Sequence, residues 1–192
     1  GIARIPAVWY EQPTYYKCNR FSVVGPGAHV LWPTGATLMD YECELGVVIG
    51  TRLRHASPAE AIAGVYGYTI VNDVTCVGMR EEDSFTVRTF RPGADGSISG
   101  GEAHTSYPGR YKGCDTFACM GPWLVTRDEI PDPHRLAIDC RQNGEVITAD
   151  NTANLFYKVP EVLSFLSSHM TLLPGDIVSM GTALKASSPQ AG

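Results

Sequence analysis

Asp40-Tyr41-Glu42-Cys43-Glu44-Leu45-Gly46-Val47-Val48-Ile49-Gly50 is the stretch that decides how the rest of the chain reads. Its second half is an apolar, β-branched run, which predicts a strand. Side chains alternate between the faces of a strand, so Glu42 and Glu44 point one way and Cys43, Leu45 and Val47 the other. Two carboxylates on one face, among residues that read as buried, repel each other. Such a pair needs a cation or a shared proton. A divalent ion with oxygen ligands is one solution, and Mg2+ or Mn2+ suits a carboxylate set. A wet face with two solvated glutamates is the other, and spacing alone leaves both open.

Outward from this strand, Tyr68-Thr69-Ile70-Val71 is a second apolar run, ending in Asn72-Asp73. Asp73 is either a third carboxylate joining Glu42 and Glu44 or a turn-starting residue. Between the runs, Ser57-Pro58-Ala59-Glu60 has the pattern of a capped helix start, closed soon after by Gly64 and Gly67. Leu136 to Gln142, the tight-turn dipeptide Asn143-Gly144 and Glu145 to Thr148 predict a hairpin. Val159 to Met170 reads as an amphipathic helix, with Val162, Phe165, Leu166 and Met170 at helical spacing. Leu173-Pro174-Gly175-Asp176 stops it, and Ile177 to Met180 is a further strand. Glu81 to Gly113 is so rich in turn formers that it is expected to be a flexible insertion or lid. The fold class is therefore α+β and β-rich, with a few short helices.

The chain has 192 residues, 44% of them apolar, which suits one domain with a sizeable core. Fifteen basic against twenty acidic residues give a net charge of -5, with no basic stretch to track a phosphate backbone. Nucleic-acid binding is thus not expected. No apolar run approaches the roughly 20 residues that cross a bilayer. Gly1 to Pro6 lacks the pattern of a secretory signal, so no membrane and a cytoplasmic location are expected. The six cysteines are scattered and read as reduced thiols. The histidines fall in polar or turn-like surroundings, apart from His169 near a helix end. Lys112, in Tyr111-Lys112-Gly113-Cys114-Asp115-Thr116-Phe117, is either a surface lysine or a positive charge for an anionic substrate. Lys17, in Tyr15-Tyr16-Lys17-Cys18, poses the same question.

DYECELGVVIG, GYTIVNDVT, KGCDTFACMGPWLVTRDEI and NGEVITADNTANLFYKVPEVLSFLSSHMTLLPGDIVSMGT occur in that order. Together they resemble the fumarylacetoacetate hydrolase family, over about Tyr10 to Thr182. The resemblance implies a mixed β-sheet roll, a homodimer, and a bound Mg2+ or Mn2+, sometimes Ca2+. It implies that Glu42, Glu44 and Asp73 are the metal ligands. Lys112 and Thr182 fall on positions that contact the substrate or its developing oxyanion, and Lys17 is placed with them as a substrate contact. Val77-Gly78 stand where the family often has Arg-Asp. Residues 1–192 would form one catalytic domain, short of an upstream segment carrying the family's His/Glu dyad and of a usual final strand. The implied substrate is a small carboxylate, a 2-oxo acid or 1,3-dicarbonyl of acylpyruvate type, cleaved at a C–C bond through an enolate stabilised at the metal. Isomerase, decarboxylase or hydratase chemistry on a related dienoate is the alternative, as is a member that binds metal and carboxylate without catalysis.

Overall fold

The computed structural model describes residues 8–187. Its strands, in chain order, are β1 (Val23–Val24), β2 (Met39–Asp40), β3 (Glu42–Ile49), β4 (Val65–Asp73), β5 (Thr75–Cys76), β6 (Ser84–Pro92), β7 (Ile98–Ser106), β8 (Ala118–Met120), β9 (Val125–Thr126), β10 (Ala137–Gln142), β11 (Glu145–Asn151) and β12 (Ile177–Ser187). The helices are short: α1 (Val8–Glu11), α2 (Pro58–Ala63), α3 (Val77–Glu82), α4 (Pro108–Tyr111) and α5 (Val159–His169). The main sheet runs β1-β8-β4-β3-β12, with β9 also paired to β4. Its pairings are antiparallel except β1 with β8, so the sheet is mixed. This is the expected β-rich α+β roll. Among the described residues no helix is long and apolar enough to cross a membrane.

The core forms where β3 and β4 meet α5 and α2. Leu45, Val47, Ile49 and Tyr68 supply the sheet side, and Val159, Leu163 and Leu166 the helix side. That spacing places one helical face inward. α5 starts as its sequence suggests, with Pro160 in the first turn and the Glu161 carboxylate accepting from the Lys158 amide at 2.7 Å. His134 adds a cap the sequence does not advertise: its Nε2 accepts from the Val159 amide at 3.0 Å. The predicted capping box of α2 is present, with the Ser57 amide donating to Glu60 at 2.8 Å and the Glu60 amide to Ser57 at 3.3 Å. β10 and β11 form the predicted hairpin, and the turn residues Asn143 and Gly144 take φ of 54° and 89°. Both central residues at positive φ are what a twisted two-residue hairpin requires.

Glu81 to Gly113 departs from the expected loop. β6 and β7 pair over nine rows, from Ser84 opposite Ser106 to Pro92 opposite Ile98. The turn signals at Gly93 and Asp95-Gly96 mark one hairpin turn, and Phe85, Thr86, Val87, Thr89 and Phe90 carry the strand propensity. The second strand contains Ser99-Gly100-Gly101, which hides its character in the sequence. Nearly all of this ribbon is exposed, and its base is held by side chains. Arg110 pairs with Asp83 and Glu82, each at 2.8 Å, and Phe85 lies against Tyr107 with ring centroids 5.2 Å apart.

Candidate metal centre

β3 and β4 are adjacent and antiparallel, with Cys43 opposite Asn72 and Glu44 opposite Val71. That register carries the end of β4 back to the start of β3, so Asp73 arrives beside Glu42 and Glu44. Each of the three carboxylates can offer one oxygen such that all lie within 4.8 Å of one another. The face that could have been wet is covered. Glu44 is 7% exposed and Asp73 also 7%.

β12 supplies the cover over the glutamates. Its pairing with β3 slips between Ser179, opposite Gly46, and Thr182, opposite Glu44. One extra residue fits there as a bulge, and Gly181 takes φ of 81°, a conformation that costs a side-chain-bearing residue about 1 kcal/mol. The bulge turns the Gly181 amide onto Glu44 at 3.1 Å. The Ser179 hydroxyl also donates to Glu44. Thr182 donates towards both glutamates, at 3.2 Å to Glu42 and 3.5 Å to Glu44.

Lys112 reaches the cluster from the residue after α4. Its ammonium lies 2.7 Å from Asp73 and 3.1 Å from Glu42, and donates to the Thr75 hydroxyl at 2.8 Å. Thr75 in turn donates to Glu42 at 3.1 Å. Tyr16 donates to the other oxygen of Asp73 at 2.6 Å, and its ring lies 5.8 Å from the Lys112 ammonium. Glu42, Glu44, Asp73, Lys112 and Thr182 are therefore brought together, while Lys17 lies exposed. Tyr16, Thr75 and Ser179 are site residues the sequence reading passed over. Ser179 left one trace, a hydroxyl set among the apolar Ile177, Val178 and Met180.

The electrostatics follow from burial. Desolvation first, then Asp73 and, against the Ser179 hydrogen bond, Glu42 push the Glu44 carboxyl up to about 7. Desolvation also raises Asp73, offset in part by Lys112 and Tyr16. Burial opposes the Lys112 ammonium, but Asp73 and Glu42 outweigh it and hold its pKa above the usual lysine value. Burial and Asp73 keep the Tyr16 phenol protonated well beyond its ordinary range. The donor set is all carboxylate oxygen, with neither histidine nor cysteine in it. Such a set fits a hard divalent ion, which would relieve the charge crowding that burial imposes on Glu44.

The profile of the fumarylacetoacetate (FAA) hydrolase C-terminal family matches residues 2–191. The chain is 34% identical over 174 residues to the mitochondrial oxaloacetate tautomerase FAHD2A of Bos taurus, covering 90% of this chain and 48% of that protein. It is 34% identical over 172 residues to the human mitochondrial oxaloacetate tautomerase FAHD2B, with the same two coverages. The chain thus spans about half the length of the curated relatives it matches. Among solved structures, 2-hydroxyhepta-2,4-diene-1,7-dioate isomerase from Mycobacterium marinum superimposes with a TM-score of 0.74 at 29% identity, covering 93% of this chain and 60% of that one. The fumarylacetoacetate hydrolase of psychrophilic Exiguobacterium antarcticum superimposes with a TM-score of 0.72 at 29% identity, covering 88% and 53%.

Proposed function

We propose a function from the premise that the chain belongs to the fumarylacetoacetate hydrolase family: it is a divalent-metal-dependent enzyme that interconverts the keto and enol forms of a small 2-oxo carboxylate. The observation that carries this reading is the Glu42, Glu44 and Asp73 cluster with the Lys112 ammonium against two of its members. The three carboxylates would hold Mg2+ or Mn2+. A bound divalent ion supplies Lewis-acid polarisation of the substrate oxygens.

The remaining work falls to the chain's own groups. Three carboxylates and one ammonium leave the protein site at about -2, so it selects a dication and, once loaded, tolerates an anionic substrate. Lys112 holds positive charge beside the region where enolate charge develops. Thr182 presents a hydroxyl at the same rim. Tautomerisation moves one proton and consumes no water, so it asks less of this site than hydrolysis does. Oxaloacetate is the first substrate to try, because two of the relatives are named for that activity.

A second reading is the C–C hydrolysis favoured by the sequence, supported by the likeness to the Exiguobacterium hydrolase. It uses the same enolate but also needs a base-activated water. The homodimer is part of the proposal, and sedimentation of the purified protein tests it; a monomer mass counts against it.

Titration with Mn2+, followed by oxalate as a flat enolate mimic, tests the core reading. Oxalate should bind only after the metal, and Glu44→Ala should abolish metal binding. Failure of the wild-type protein to bind Mn2+ would overturn the reading. The loaded protein is then given enol-rich oxaloacetate and an acylpyruvate. Faster loss of enol absorbance supports the tautomerase, and release of pyruvate from the acylpyruvate supports the hydrolase.

A further inference from the structure

Asp73 is held from both sides. Tyr16 donates to its Oδ1 at 2.6 Å and Lys112 to its Oδ2 at 2.7 Å. The two donors differ in kind. An ammonium is repelled by any cation brought to the same carboxylate, whereas a neutral hydroxyl is not. When a dication occupies the cluster, Tyr16 is the partner that can keep its bond, and each Asp73 oxygen retains a second lone pair for the ion.

Tyr16 does not come from the sheet. It arrives on the extended segment between α1 and the single turn Arg20–Ser22. That segment is pinned to the far side of the core by its neighbours. The Tyr15 hydroxyl lies 2.9 Å from His169 Nε2 at the end of α5, and the two rings stack with centroids 5.7 Å apart. Further along, Tyr157 donates to the Trp9 carbonyl at 3.0 Å, and Tyr10 meets Phe156 edge-on at 5.6 Å. The adjacent tyrosines thus divide two tasks: Tyr15 grips the helix and Tyr16 enters the site.

We infer that Tyr16 is a positioning residue for the metal: its hydroxyl fixes the plane of the Asp73 carboxylate for ligation, and the docking of Tyr15 on His169 sets where that hydroxyl stands. This rests on the metal reading above and goes beyond it, because Tyr16 is assigned to the ligand and not to the substrate. Partners of metal ligands change affinity by about 10- to 100-fold when removed.

The test is calorimetric titration of the whole chain with Mn2+ in the absence of substrate. Wild type should bind and Glu44→Gln should not; if wild type fails to bind, the metal reading itself falls. Given that control, Tyr16→Phe, which removes only the hydroxyl, should bind Mn2+ about 10-fold more weakly. In an Asp73→Asn background the same change should have no further effect on whatever affinity remains. Wild-type affinity in Tyr16→Phe overturns the inference and leaves the metal reading standing. Raising Mn2+ to saturation should recover most of the activity that Tyr16→Phe loses at limiting metal, because the hydroxyl acts through the affinity for the ion. A KM that stays raised under saturating metal would show a substrate contact and overturn the assignment. Should Tyr16→Phe fail to fold by circular dichroism, Tyr15→Phe carries the test. It lies outside the site and should weaken Mn2+ binding about 3-fold, a fraction of the direct effect; unchanged affinity there would overturn the role of the strap.

Discussion

Lys112 sits where a cation is wanted, which makes it both a catalytic candidate and a competitor. Its ammonium neutralises part of the charge on Asp73 and Glu42. Replacing it by methionine should therefore leave metal affinity equal or a few-fold tighter while turnover falls by about 100-fold, the usual cost of losing a group that stabilises developing charge. Titration and steady-state kinetics on Lys112→Met read both effects, and equal kinetics would remove it from the mechanism. Glu44 makes a prediction about pH. Its carboxyl is raised to about 7 in the folded chain against about 4.5 for an ordinary glutamate. The folded state thus holds the proton more tightly than the unfolded state does. Its stabilising contribution is complete below about 4.5 and is lost as pH rises to about 7. The metal-free melting temperature should fall over that window, and Glu44→Gln should flatten the fall. Mn2+ affinity should climb over the same window and level off above it, since the ion displaces the proton. The shared face of Glu42 and Glu44 was legible because a strand has period two. Tyr16 was not, because a hydroxyl in an extended segment leaves no spacing pattern, and the charge on Lys17 beside it was the more visible feature.

At the scale of elements, the ribbon of β6 and β7 grows from the site itself. Thr75 precedes α3 on one side and Lys112 follows α4 on the other. Arg110 joins the two feet through Asp83, Glu82 and the Met79 carbonyl. Exposed ion pairs add little to stability, so the use of this clamp is geometric: it keeps Lys112 opposite Thr75. Arg110→Glu should lower kcat by about 5-fold, equivalent to about 1 kcal/mol, with Mn2+ affinity unchanged. Adding Asp83→Arg should restore part of it. Stopped assays on the single and double variants check this, and no loss in the single variant would sink the clamp. α2, α5 and the β10–β11 hairpin were legible because caps and the Asn-Gly turn act through neighbouring residues. The ribbon was not, because pairing between β6 and β7 overrides the weak strand propensity of Ser99-Gly100-Gly101.

In the whole molecule, core and site occupy opposite faces of the same two strands. Leu45 and Val47 face α5, while Glu42 and Glu44 face β12 and Lys112. Packing loss and metal loss should then separate. Leu163→Ala should destabilise the protein by about 2–5 kcal/mol in urea unfolding while leaving Mn2+ affinity near wild type. A matching loss of affinity would show that the two faces are not independent. Conversely, Mn2+ at 100 times its dissociation constant should add about 2.7 kcal/mol to wild type and to Leu163→Ala alike. The convergence of Asp73 on the glutamates follows from the β3–β4 register, which local sequence does not encode and long-range pairing does.

The bulge in β12 has a further use. By leaving the regular ladder, Gly181 gives its amide proton to a carboxylate and not to a neighbouring strand. That proton is a resident reporter on Glu44, carried by the backbone and needing no label beyond nitrogen-15. Its resonance should move downfield or upfield as the carboxylate passes from protonated to free to ion-bound, while amides of β12 outside the bulge stay in place. A single glycine signal would then count the occupancy of the centre in solution.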